Sequence, residues 1–147
     1  MSAHTMSGIH MALLSFWNSF TWNGQPVPAF PAGRVPKSQP YPYITYDTQL
    51  GAFGSISNPV TYVWCKMPMD NSYNAQTQRA QIMDAVAEAI PEGGKLLSFP
   101  GGAVWLKRND ANFMTYYDPK EEDNIESPTG EPVIGGRISL FAQYFAR

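Results

Sequence analysis

Residues 60–108 read VTYVWCKMPMDNSYNAQTQRAQIMDAVAEAIPEGGKLLSFPGGAVWLKR. The first eight, Val60 to Met67, are β-branched and aromatic and lie between Asn58-Pro59 and Pro68, which predicts a strand. Asp70, Asn71 or Ser72 then caps a helix. Ile82, Val86 and Ile90 recur at every fourth position with Met83, Ala87 and Ala89 beside them. Gln78, Arg79, Asp84 and Glu88 fall largely off that stripe, and Pro91 with Gly93-Gly94 stops the helix. Lys95 to Phe99 and Ala103 to Arg108 are two short strands about the turn signal Pro100-Gly101-Gly102. A strand, a helix and a hairpin in this order predict an α+β fold: an antiparallel β-sheet with two main helices packed on one face.

The flanks extend that plan. Tyr43 to Leu50 is a strand closed by Gly51 and Gly54, and its short joint to Val60 implies an antiparallel pair. Further upstream, Gly24 to Pro42 carries six of the 13 prolines. Proline fixes φ and donates no hydrogen bond, so this stretch is extended and irregular. Val27, Phe30, Val35, Tyr41 and Tyr43 would be wasted in a free linker, so the stretch reads as an arm pinned across a surface, its own or a neighbour's. The first 23 residues read as a helix: Met6, His10, Leu13, Trp17 and Phe20 form a stripe widened by Ile9, Leu14 and Phe16, and Asn23-Gly24 ends it. Downstream, residues 109–132 form a polar, acidic loop. Arg137 to Phe145 is a final strand with Ile138, Leu140, Ala142 and Tyr144 on one face. Phe141 and Phe145 make its other face partly apolar, so the strand is central or at an interface. The whole is expected to be one domain, 1–147, with helix 1–23, arm 24–42 and core 43–147.

Composition bounds the function. Aromatic residues make up 14% and charged residues 15%. A chain poor in charge and rich in rings suits burial against partners. The net charge of -2 offers no basic field for phosphates, which argues against general nucleic-acid binding. One cysteine, Cys65, makes no internal disulfide, and with two histidines it builds no metal-ligand cluster. No run approaches the roughly 20 apolar residues of a membrane span, and the N-terminus lacks the basic start and cleavage pattern of a signal peptide. Folding in a cytoplasm, with no membrane, no metal and no cofactor, is the expectation.

A search for chemistry finds little. Cys65 lies mid-strand, and with His4 and His10 it reads as a packed thiol rather than a hydrolase nucleophile. Gly93-Gly94-Lys95 follows a helix, whereas a phosphate loop precedes one. Asp118, Glu121, Glu122, Asp123 and Glu126 lack the alternation of a calcium loop. Together with Asp110 and Glu131, against Lys120 alone, they make residues 109–132 a strongly negative segment and a candidate contact surface. The candidate interface residues are Phe30, Tyr41, Tyr43, Trp105, Phe141 and Phe145. An assembly protein is favoured over an enzyme.

Three stretches carry a family resemblance. Val35 to Tyr46, with Pro42-Tyr43-Ile44-Thr45-Tyr46 at its end, resembles the opening of small virion proteins of long-tailed bacteriophages. The helix ending Ile90-Pro91-Glu92-Gly93-Gly94-Lys95, followed by Phe99-Pro100-Gly101-Gly102-Ala103-Val104-Trp105-Leu106-Lys107-Arg108, is similar to the same proteins. So is an alternating last strand after a variable acidic loop. These proteins are the tail terminators, also called minor tail or minor capsid proteins. The likeness covers roughly residues 34–108 and the final strand, in order and spacing, and leaves residues 1–33 outside.

The resemblance implies an α+β domain that forms a homo-oligomeric ring, typically a hexamer, at the head-proximal end of the tail tube. Such a ring stops polymerisation of the tail tube protein and docks to the head-completion or connector protein. DNA crosses its lumen without specific binding. The location so implied is the virion tail or neck, reached after assembly in the host cytoplasm, and the acidic loop would face the lumen or the partner ring. A head-completion or neck adaptor and, in another class, a small-ligand or glycan-binding module are the alternatives.

Overall fold

The computed structural model describes residues 5–48, 56–66, 72–109, 112–117 and 133–146. Its elements in chain order are α1 (Thr5–Trp17), β1 (Thr21–Trp22), β2 (Gln25–Pro26), β3 (Ala29–Pro31), β4 (Tyr43–Tyr46), β5 (Ile56–Ser57), β6 (Val60–Lys66), α2 (Ser72–Ala89), β7 (Lys95–Phe99), β8 (Gly102–Arg108), β9 (Met114–Tyr117) and β10 (Val133–Ala146). The class is α+β, as expected. The sheet is built on the last strand, which is longer than the sequence implies and central.

One side of β10 pairs with β6 and then β5, in an unbroken antiparallel register from Val133↔Lys66 to Gln143↔Ile56. The other side pairs with β9 and β8, and here the register breaks. Leu140 faces Arg108 and Ile138 faces Met114, so two steps along β10 span six along its neighbour. The Ser139 N–H donates to the Phe113 carbonyl and the Asn109 N–H donates to the Ser139 carbonyl across that break. An insertion of this kind bends a sheet. Beyond these strands β4 pairs antiparallel with β6, β3 pairs parallel with β4, and β7 closes a hairpin on β8.

Strand pairing puts Ile134, Gly136, Ile138, Leu140, Ala142 and Tyr144 on one face with Thr61, Val63, Cys65, Leu106, Val104 and Phe99. Both helices lie on this face. Gly136 leaves the space that the Met83 side chain of α2 occupies, and Gly8 of α1 sits against the Phe99 ring. The buried side chains form one contiguous cluster that includes Trp17, Ile44, Val63, Val86, Ile90 and Leu140. Each such side chain contributes roughly 1.5–3 kcal/mol of transfer free energy.

Several expectations change. The first helix ends at Trp17, not at Asn23-Gly24. Asn23 and Gly24 have φ of 54° and 80° and form the turn of the β1–β2 hairpin, the use for which Asn-Gly is best suited. The Asn18 side chain stops the helix instead. It donates to the Leu14 and Ala29 carbonyls and accepts from the Ala29 N–H. The helix stripe is rotated too: Ile9, Leu13, Phe16, Trp17 and Phe20 are buried, while Met6 and His10 are exposed. The front of the proline arm is sewn into its own sheet as β3, with Val27 and Ala29 buried. Residues 114–117, read as loop, are strand β9. Arg79, read as off the stripe, is only 4% exposed. Arg108, at the end of its strand, turns under α2 and donates to the Ile90 and Ala87 carbonyls. It supplies the positive charge that the last turn of α2 lacks.

Candidate functional site

The face of the sheet away from the helices is covered by no described element. Its strand residues include Phe30, Tyr43, Thr45, Val60, Tyr62, Trp64, Lys66, Arg137, Phe141, Gln143, Phe145, Trp105, Lys107 and Leu96, as strand pairing dictates, and pairing adds Thr115 with the buried Ala103, Val133 and Ser139. Five of the six interface candidates sit here at strand positions. The sixth, Tyr41, joins through its ring, 5.0 Å from that of Tyr43. The fold thus brings together residues up to 115 positions apart in the chain, from Phe30 to Phe145.

The rings form two groups. At the β3–β4–β6 end, Phe30 and Tyr43 meet edge to face at 6.2 Å and Tyr62 stacks on Trp64 at 5.2 Å. The Trp64 indole N–H donates to the Thr45 hydroxyl at 3.0 Å, which fixes that ring. Burial, with Tyr41 beside it, holds the Tyr43 hydroxyl above its ordinary value. At the β8–β10 end, Ile56, Trp105, Lys107, Phe141 and Gln143 line a shallow recess of about 240 Å³. Phe145 is 40% exposed and Ile56 64%. Arg137 lies between the two groups. Half-exposed rings on a rigid sheet offer contact area at low entropic cost, which is the character of an interface core.

Tyr62 and Trp64 belong to this surface although they were not among the candidates. Their signal was present: they alternate with Thr61, Val63 and Cys65, but both sets are apolar, so alternation alone did not say which faces outward. The acidic candidates Asp118, Glu121, Glu122, Asp123 and Glu126 lie outside the described residues. Gly94, with φ of 92°, closes the end of α2 through its N–H to the Pro91 carbonyl, so Gly93-Gly94-Lys95 is a helix stop. A second groove, about 840 Å³, runs between α1 and β7, with Met11 and Lys95 exposed along it.

Cys65 faces α2 and is fully buried. Among the described residues no three His, Cys, Asp or Glu lie together as a metal site would need. Burial pushes the thiol up from 9.0 to about 12, against a smaller opposite pull from the Arg79 charge. Burial likewise raises the Tyr46 hydroxyl. These groups keep their protons in the folded chain at pH values where the unfolded chain has released them. The unfolded state then binds fewer protons, so stability falls as pH rises. The urea midpoint should stay flat below pH 9.0, where the thiol is protonated in both states, and decline above it. In Cys65→Ala the decline should begin instead near pH 10.0, where Tyr43 and Tyr46 take over. An unchanged onset in that variant would remove the thiol from the account.

Comparison of the chain with protein-family models, curated proteins and solved structures finds no match.

Proposed function

We propose that this chain is a structural virion protein: a tail terminator that forms a ring, a hexamer by its resemblance to that family, at the head-proximal end of a phage tail tube. The ring stops tube polymerisation and presents the surface to which the head connector docks, and DNA crosses its lumen. The observation that carries the reading is the sheet face that no described helix covers, which gathers Phe30, Tyr43, Tyr62, Trp64, Trp105, Phe141 and Phe145. A subunit that meets two neighbours in a ring and partners above and below needs such unsatisfied area. In this reading the acids Asp118, Glu121, Glu122, Asp123 and Glu126 face the lumen or the partner ring, where negative charge keeps passing DNA from adhering.

Purified protein added to growing tail tubes should cap them, giving tubes of fixed length with a ring at one end in electron micrographs. Reversing Glu121, Glu122 and Asp123 to Lys should leave capping intact and impair joining to heads or ejection. Tubes that grow on unchecked would overturn the proposal. Binding to tailless heads before tails would move the chain to the neck-adaptor role.

A further inference from the structure

The two outer surfaces of the fold differ in charge. On the sheet face that no described helix covers, the charged strand residues are Lys66, Arg137 and Lys107, and no described strand contains an Asp or Glu. Asp47 directly follows β4. On the other side the two cations beneath α2 are drawn inward, and Lys95 stays exposed at the β7 edge beside α1. Arg79 is buried, and Arg108 is bonded to the carbonyls at the end of α2. Asp84, Glu88 and Glu92 stand exposed there, four residues apart. The other helix, α1, carries no charged residue and exposes Met6 and Met11.

These features are in register through the sheet. α1 lies over β7 and β8, and behind β8 is the recess lined by Trp105 and Phe141. α2 lies over β6 and β10. Its Met83 stands at Gly136, and its Ala87 carbonyl takes Arg108, which pairs with Leu140. Asp84 and Glu88 directly follow Met83 and Ala87, so the acids run along β10 from the level of Gly136 to that of Leu140 and beyond. On the opposite face Arg137 and Lys107, which pairs with Phe141, cover the same span.

We infer that this sheet face is the seat for the helix layer of a second copy of this chain, packed front to back. Met11, on the side of α1 opposite the buried Leu13 and Trp17, enters the Trp105–Phe141 recess, since a flexible thioether fills irregular apolar gaps. Asp84, Glu88 and Glu92 meet Arg137 and Lys107, which sets the register and suppresses the reverse packing. A contact between unlike faces is heterologous, and closes into a ring when each copy is rotated against the last. The inference deepens the proposed ring and depends on that proposal for closure only. Single-stranded nucleic acid would also find rings and cations on this face and is one outcome of the test.

Two charge-reversed variants decide it: Lys107→Glu with Arg137→Glu, and Asp84→Lys with Glu88→Lys. Each places like charges on both sides of the contact. Each alone should weaken self-association about tenfold or more in sedimentation velocity at low salt. An equimolar mixture should recover it, because the reversed sheet of one chain meets the reversed helix layer of the other. The chain with all four substitutions should recover it unaided. Thermal melts by circular dichroism establish that every variant is folded. Three results overturn the inference: a wild-type chain that stays monomeric at every concentration, variants that associate like wild type, or a mixture that fails to recover. Binding of an oligothymidine that depends on Arg137 and Lys107, in a chain that does not associate, also overturns it, in favour of nucleic acid. Failure of the tail-terminator reading looks different: the mixture recovers, yet tail tubes grow unchecked.

Discussion

Gly102→Ala should destabilise the fold by about 3 kcal/mol, although it adds a single methyl group. Gly102 opens β8, opposite Ala146 of β10 and Phe99 of β7. A Cβ there would overlap the Phe145 carbonyl oxygen, with the Phe99 ring at 3.1 Å on another side. A side chain could swing away, but a carbonyl oxygen in the central strand cannot move without disturbing the β8–β10 ladder. Phe99 is also the ring against which Gly8 of α1 rests, so the displacement reaches the helix layer. Gly93→Ala is the matched control. Nothing lies within 4 Å of a Cβ at Gly93 and its φ is not positive. The same substitution there should be neutral or stabilise by about 0.4–1 kcal/mol, through the unfolded chain. Urea midpoints of the two variants test the pair. If Gly102→Ala unfolds within 0.5 kcal/mol of wild type, roughly the scatter of a surface substitution, β8 does not approach β10 this closely.

The legible parts of the fold are those where a single local signal decides. The stripe Ile82, Val86 and Ile90 has one reading, and all three are buried. Pro100-Gly101 between two apolar runs is a hairpin turn, with Gly101 at φ 103°. The sequence misleads where two signals compete. Phe20 lies three residues after Trp17 and continues the helical stripe, so Asn23-Gly24 reads as a helix end. In the fold Phe20 is buried from a non-helical position, and its carbonyl accepts from the Val27 N–H at 2.9 Å. The β9 strand is hidden because its neighbours in the chain are polar, and it is recruited by pairing with Gly135 to Ile138, far along the sequence. The candidate surface was half legible for a similar reason. Phe141 and Phe145 stood out against the polar Gln143 and Arg137, whereas Tyr62 and Trp64 stood among equally apolar neighbours. Only the side on which the helices lie separates them, and that is a property of the whole sheet.

Arg79→Ala should be the other severe lesion, costing about 3 kcal/mol. The guanidinium is buried between α2 and the sheet, donates to the Gly135 carbonyl at 3.1 Å, and lies 3.9 Å over the Tyr116 ring. Gly136 makes this possible, since it raises no side chain into the space that α2 takes, whereas a Cβ on Gly135 would meet the Trp64 ring on the opposite face. The plane of the guanidinium does two things at once: it stacks on a ring and presents donors along its edge. Lysine offers charge but no plane, so Arg79→Lys should recover little and still cost about 2 kcal/mol. Methionine offers length and apolar volume without a charge to desolvate, so Arg79→Met should be the mildest, at about 1 kcal/mol. This order, Met milder than Lys and Lys milder than Ala, separates shape from charge. Were charge the dominant contribution, Lys would be mildest and Met close to Ala. A second readout comes from Cys65, on which the Arg79 charge pulls the thiol downward. Removing that charge should make native-state alkylation slower in Arg79→Met than in wild type at alkaline pH, provided the variant remains folded. A faster reaction would mean that the thiol is reached by local opening, and that Arg79 matters there as a clamp on α2.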